Sequence, residues 1–449
     1  MKYNSNDSEN DSDNEITYHR DKKQKNDKVI ITETRKRRSN SDGDIYNFKI
    51  KERCRYDDYF RSQSRNKQIQ ILDKEDEIYN FSKTNIPIRY KIICSNIPLA
   101  TKSLIIQRID SFENMDSNDL EYSKLSKWIY GLDRIPFDIY SSLPVSLNSN
   151  ATEIEDFLYN SYEILKKTIY GQLDAKNKIM QILAQWISNP LSMGQIIALE
   201  GPPGVGKTSL VKNGVSKALN RPFCFYTLGG ATDISNLEGH SYTYEGAIWG
   251  RLIEMLMESK VMNPVIFFDE LDKISKTQKG QEITGLLTHL TDFTQNDSIQ
   301  DKYYSGINLD FSKSVFFFSF NDIRNINPIL KDRLTIVKFN GYTVDDKINI
   351  AKDFIIPQLL ENIGFNKKDV SFSNNAIKYI ILKYTNNEEG VRNIKRYIKD
   401  ILLKINLLRL VQNPHNDNNR IDIKYNIEDL KFPYYINNTT IIDNLLINK

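Results

Sequence analysis

Between residues 195 and 342 short, continuous apolar runs alternate with stretches of helical period. The runs are Gln195–Glu200, Phe223–Leu228, Val265–Phe268, Val315–Phe320 and Thr335–Phe339. Runs this short, rich in β-branched and aromatic residues, predict strands buried on both faces. Strands separated by helices predict an α/β fold, a parallel sheet with helices on both faces, over residues 161–342. Upstream, Ser103–Ile109, Leu120–Ile129, Ile154–Lys167 and Ala175–Ile187 carry apolar residues at helical spacing, and residues 95–160 read as a helical preface. Downstream, Thr343-Val344-Asp345-Asp346 has the form of a helix-capping box. It opens a smaller all-helical domain over residues 343–412, whose longest element places Val391, Ile394, Ile398, Ile401, Ile405 and Leu408 on one stripe. Residues 413–449 read as a strand and tail.

Residues 1–85 lack periodic apolar pattern and are rich in Asn, Asp, Ser, Lys and Arg, which predicts a disordered charged segment. Within it, Arg35-Lys36-Arg37-Arg38 reads as a solvated charge run or as a nuclear-import or nucleic-acid patch. The whole chain, 449 residues with net charge +3, is long enough for two or three domains and has no global pull toward nucleic acid or anionic lipid. Cys54, Cys94 and Cys224 are far apart, which argues against a disulfide framework or zinc ribbon, and His19, His240, His289 and His415 form no zinc-hydrolase pair. No apolar run approaches a membrane span and the start is polar, so a soluble intracellular, cytoplasmic protein is expected, with the nucleus open through the basic run.

Gly201-Pro202-Pro203-Gly204-Val205-Gly206-Lys207-Thr208 directly follows the first apolar run. Glycines at this spacing turn backbone N–H groups inward around phosphate oxygens, the lysine reaches the β- and γ-phosphates, and the threonine hydroxyl can ligate Mg²⁺. The alternative is a glycine-rich turn without a ligand. A strand before the loop and a helical continuation from Ser209 to Leu219 are the context that separates the two, and both are present in the pattern. ATP and Mg²⁺ are the ligands expected.

Val265-Ile266-Phe267-Phe268-Asp269-Glu270 puts two carboxylates at the carboxyl end of a buried strand, the edge where open α/β sheets bind ligands. Asp269 is expected to hold Mg²⁺ through water and Glu270 to activate the water that attacks the γ-phosphate. An acidic strand terminus without function is the competing reading. The strand ending at Phe320 is followed by Asn321, which can place that water, or which is ordinary turn chemistry.

In order and spacing, the P-loop, Asp269-Glu270, Asn321, Asp332-Arg333 and Gly390-Val391-Arg392-Asn393 resemble an AAA+ ATPase. In detail they are similar to the ATPase module of Lon proteases. The details are Ile169-Tyr170-Gly171, Gly229-Gly230, Gly239-His240, Tyr244-x-Gly246-Ala247-x-x-Gly250-Arg251, Asn263-Pro264 and Gly341-Tyr342-Thr343. The resemblance runs from about residue 100 to 435. It implies a ring of copies, six by analogy, with ATP at each boundary, Tyr170 and Gly171 beside the nucleotide, Arg333 reaching a neighbour's γ-phosphate, and Arg392 as a sensor on the lid. Surface ion pairs are the alternative for both arginines, and Arg324 is a second candidate for the reaching role. Tyr244 matches an aromatic that grips a threaded polypeptide, or is a core aromatic, and Glu245 stands where an aliphatic partner is the pattern.

Lon also has a proteolytic domain after the lid and a substrate-recruiting domain at its front. This chain ends about where the first should start, so no peptidase activity of its own is expected. The expectation is an ATP-driven protein remodeller or unfoldase. The competing readings are a regulatory subunit of a complete Lon-like protease, and nucleic-acid engagement through residues 19–38.

Overall fold

The computed structural model describes residues 17–20, 29–32, 58–82, 86–119, 121–190, 192–411, 425, 427 and 430–446. The chain divides into two units, Met1–Asn85 and Ile86–Lys449. In the first, Thr17–Arg20 pairs antiparallel with Val29–Thr32. Asp58–Ser62 and Arg65–Ser82 are helical, and Phe60, Ile71 and Leu72 form a small apolar cluster that gives this part of the expected disordered stretch a local structure. The run Arg35 to Arg38 lies outside the described residues.

The second unit is built on five parallel strands: β1 (Ile196–Glu200), β2 (Phe223–Thr227), β3 (Val265–Asp269), β4 (Val315–Phe320) and β5 (Thr335–Lys338). Their order across the sheet is β2-β3-β4-β1-β5, so β1 lies between two strands that come much later in the chain. The register pairs Glu200 with Phe320 and Phe268 with Phe318. The residues that follow β1, β3 and β4 therefore emerge level with one another at one edge.

Side chains alternate between two cores, as a strand's two-residue period requires. Ile197, Leu199, Phe267 and Phe317 pack under helices Ala151–Thr168 and Leu173–Ser188 and under the helix that starts at Lys207. Ile196, Ala198, Phe268, Phe318 and Phe320 face Leu252, Leu256 and Leu287, and in the same core lie Ile105 and Trp128 of helices Leu99–Glu113 and Tyr122–Arg134. The helical preface thus shares the core of the sheet and is no separate body. Its first helix, Ile88–Cys94, begins earlier than the pattern suggested.

The lid has its own core. Thr343 and Asp346 make the expected capping box, each side chain satisfying the other's backbone amide. The stripe Ile394, Ile398, Ile401, Ile405 and Leu408 is buried on helix Arg392–Val411, while Val391 stands just before that helix. The C-terminal residues do more than trail off. Tyr434–Ile436 pairs in parallel with Val370–Phe372, and helix Thr439–Leu446 buries Ile442, Leu445 and Leu446 in the lid core. Two short apolar segments lying beyond the unpatterned stretch 412–424 give little sequence periodicity, which is why the last helix read as a tail. Among the described residues no helix is long and apolar enough to cross a membrane.

Candidate nucleotide site

A cavity of about 960 Å³ opens at the carboxyl edge of the sheet, between the α/β domain and the lid. Residues Pro203 to Ser209, Tyr170, Asp269, Glu270, Asn321 and Arg392 all line it. Gly201, Pro202 and Gly171 do not, and act at one remove. Gly171 has φ of 60° and turns the chain from Tyr170 into helix Leu173–Ser188, while the Gly201 and Pro202 carbonyls hold Lys207. Cationic side chains outnumber carboxylates along the wall, Lys167, Lys207, Lys217, Arg392 and Lys395 against Asp269, Glu270 and Asp353, which suits a polyanion.

The loop between β1 and the helix at Lys207 has Gly204 at φ 80° and Gly206 at φ 96°, conformations that a side chain would strain. Space is tight as well. A Cβ on Gly204 would lie 3.1 Å from both the backbone nitrogen and the Cβ of Arg392. The Lys207 ammonium is buried, donating to the Gly201 carbonyl, to the Phe320 carbonyl at 3.2 Å and to Asn321 Oδ1 at 2.8 Å. Burial pushes its pKa down to about 8, against the pull of Asp269 and Asp272. A group so placed gains from an anion entering the cradle.

The two carboxylates of β3 are held differently. Asp269 accepts from the Ser319 hydroxyl of β4 and, at 3.1 Å, from the Glu270 amide. Glu270 adopts the left-handed conformation, φ 62° and ψ 45°, unusual for a residue with a Cβ and costing about 1–2 kcal/mol. Its Oε1 accepts from Lys273, and its Oε2 occupies the space where Gly229 lacks a side chain: a Cβ there would sit 2.0 Å from that oxygen. Asp272 Oδ2 accepts from the Asn321 and Asp322 amides, both at 3.1 Å, and so sets the turn that presents Asn321. Thr208 and Asp269 supply one hydroxyl and one carboxylate, a donor set that fits Mg²⁺ shared with a substrate's phosphates better than a protein cage.

The lid closes directly on this loop. The Val391 amide donates to the Gly204 carbonyl at 3.2 Å, and a Cβ on Gly390 would fall 2.2 Å from the Pro203 carbonyl. The Tyr342 hydroxyl donates to the carbonyls of Tyr170 and Val205 at 3.2 and 3.0 Å, and its ring meets Tyr170 edge-on. Ile350 and Phe354 of the lid add an apolar wall beside Ile164 and Tyr170.

Arg333 stands off the cavity, paired with Asp292 at 2.7 Å, and Arg324 is exposed and paired with Asp322 at 2.8 Å. Tyr244 is 68% exposed on the loop between Gly239 and Gly250, so it is not a core aromatic. Ser319, Asp272 and Lys273 were not singled out from the sequence, and Gly229 and Tyr342 entered only as part of a resemblance. Asp272 had a signal, a third acidic residue one helical turn beyond Asp269. Ser319 had none, because a serine inside an apolar run has no partner until strands are paired.

A P-loop at the end of a central strand, paired carboxylates on the next strand but one, an asparagine between them and a helical lid define an AAA+ nucleotide-binding module. Residues 197–342 match the family described as ATPase family associated with various cellular activities (AAA), and residues 361–416 match the Lon protease AAA+ ATPase lid domain. The chain is similar to a Lon protease homolog of Acanthamoeba polyphaga mimivirus, 36% identical over 357 residues, covering 78% of this chain and 34% of that protein. It is 35% identical over 344 residues to a Lon protease of Campylobacter concisus (76% of this chain, 41% of that protein). To the mitochondrial Lon protease homolog of Drosophila melanogaster it is 30% identical over 340 residues (75% and 32%). The module is an AAA+ ATPase module of the Lon type. The chain spans about a third to two fifths of the length of these relatives.

Proposed function

We propose that this chain binds and hydrolyses ATP with Mg²⁺ and uses the cycle to move a polypeptide, as a ring of copies. The observation that carries the reading is the convergence of Lys207, Asp269, Glu270, Asn321 and Arg392 on one cavity. The inward-turned amides of Gly204 to Lys207 hold phosphate oxygens, and Lys207 exchanges its carbonyl partners for them. Thr208 and Asp269 would hold Mg²⁺, which supplies charge neutralisation on the phosphates. Glu270 accepts the proton of the attacking water, and Asn321 fixes where that water sits. Arg392 opens a lid helix and lines the cavity, so the charge lost when phosphate leaves is felt by the lid. Arg333, off its own cavity, is free to reach a neighbour's phosphate if it leaves Asp292.

Tyr244, exposed on its loop, is the proposed contact with the moving chain. Phosphate release should be stimulated by an unfolded polypeptide, and Tyr244→Ala should lose the stimulation while keeping basal turnover. Light scattering with and without ATP tests the ring, a mass that stays monomeric counting against it. Absence of any Lys207-dependent phosphate release would remove the whole reading.

A further inference from the structure

Residues 240–249 leave the domain and return through a narrow neck. The His240 amide donates to the Ile248 carbonyl at 3.0 Å, a Cβ on Gly239 would lie 2.8 Å from the Gly250 nitrogen, and buried Asp301 accepts the Gly250 amide at 2.8 Å. Beyond the neck, Thr243 to Gly246 are exposed, yet the two aromatics flanking them point inward. Tyr242 meets Tyr303 at 5.7 Å, and Trp249 meets Tyr303 and Tyr304 at 5.9 and 6.4 Å.

The floor under these rings is the helical segment that precedes the nucleotide domain. Helix Tyr122–Arg134 has Gly131 where Trp249 lies: a Cβ there would be 2.6 Å from the Trp249 ring and 2.3 Å from the Tyr304 hydroxyl. Lys127 of the same helix donates to the Ala247 carbonyl at 3.3 Å. Arg108, on helix Leu99–Glu113, has its guanidinium 4.5 Å from the Trp128 ring centroid and 5.2 Å from that of Tyr242. Its Nη1 is buried and has no hydrogen-bond partner among the described residues. A cation in that position is held by two ring faces instead of a carboxylate.

We propose that helices Leu99–Glu113 and Tyr122–Arg134 are the positioning element of the loop carrying Tyr244, with Arg108 as the pin that joins them to Tyr242. The inference rests on the reading of Tyr244 as a polypeptide contact. Arg108, Lys127 and Gly131 all act on residues immediately flanking the exposed tip, and none of the three lines the nucleotide cavity. Disturbing them should therefore alter polypeptide engagement and leave ATP chemistry alone.

The test uses the full chain with Arg108→Met, Arg108→Lys and Lys127→Ala, carboxymethylated lactalbumin as a permanently unfolded polypeptide, and amide hydrogen exchange over residues 240–249. Arg108→Met should leave basal turnover within about twofold, raise the half-stimulating polypeptide concentration about tenfold, and speed exchange in the loop by a similar factor. Arg108→Lys should recover part of both, because a lysine keeps the cation over the rings. Lys127→Ala, at an exposed position, should fold normally and show a smaller change in the same direction. Unchanged loop exchange in Arg108→Met, or basal and stimulated turnover falling in the same proportion, would overturn the proposal. If the unaltered chain shows no stimulation, the polypeptide reading fails, and the exchange result still judges the anchor.

Discussion

The nucleotide cavity and the loop carrying Tyr244 sit in the same domain but are held by different forces. In the cavity, charged and polar side chains are placed by hydrogen bonds that cross between strands: Ser319 to Asp269, Asp272 to the Asn321 amide, Lys207 to Asn321. Under the loop, aromatic rings and one half-buried cation do the holding, and the tip from Thr243 to Gly246 is exposed. Hydrogen bonds fix position to a fraction of an ångström and tolerate no substitution, which suits chemistry. Ring packing fixes a base and leaves a tip free to adapt, which suits a surface meeting many sequences.

The comparison breaks most sharply at Glu270. Glu270→Gln should lower phosphate release about 10²–10⁴-fold while nucleotide binding, by calorimetry, is kept. Gly229→Ala should come next, since the added methyl displaces the same carboxylate without altering its charge. A loss of about 10²-fold in turnover is expected, with little change in the nucleotide concentration needed.

Lys207→Met should weaken nucleotide binding about 10–100-fold. It should also remove a pH dependence. Phosphates favour the charged ammonium, whose pKa without them is about 8, so binding takes up a proton above that pH. Affinity in the unaltered chain should be flat below about pH 8 and weaken up to about tenfold per pH unit above it, and the variant should lack the slope. Stability of the nucleotide-free protein has the opposite sign. The unfolded lysine keeps its ordinary pKa of 10.5 and binds more protons than the folded one, so this group's contribution rises with pH between about 8 and 10.5.

The smallest effect is expected at Lys273, whose pairing with Glu270 lies partly in solvent. Lys273→Met should raise basal phosphate release by no more than about fivefold, by freeing the carboxylate for water. A fall in turnover would instead make Lys273 an aid to Glu270 and not a restraint on it.

Much of the cavity was legible because its parts are contiguous. Four apolar residues followed by Asp269-Glu270, or a glycine loop followed by Lys207-Thr208, carry their own context, and all five strands of the sheet fall where the apolar runs put them. At the lid's C-terminal edge a strand was legible, but its position and partner were not, nor was the last helix. Their partners, Val370–Phe372 and the stripe on Arg392–Val411, lie well upstream in the chain, and a three-residue strand has no periodicity of its own. Tyr244 could be matched to a motif but not told from a core aromatic until its exposure was seen.

By itself, the order of residues determined the alternation of strand and helix, the glycine-rich loop and the identity of the charged and polar groups that meet in the cavity, because hydrophobic period and glycine conformational freedom are local properties. Only the tertiary structure brought Ser319 to Asp269, Asp272 to the Asn321 amide and Gly229 to Glu270, and set the helices carrying Arg108 and Gly131 under the loop of Tyr244. Each of these acts on a residue far away in sequence, and such distances become ångströms only when the sheet's parallel register and the shared core have formed.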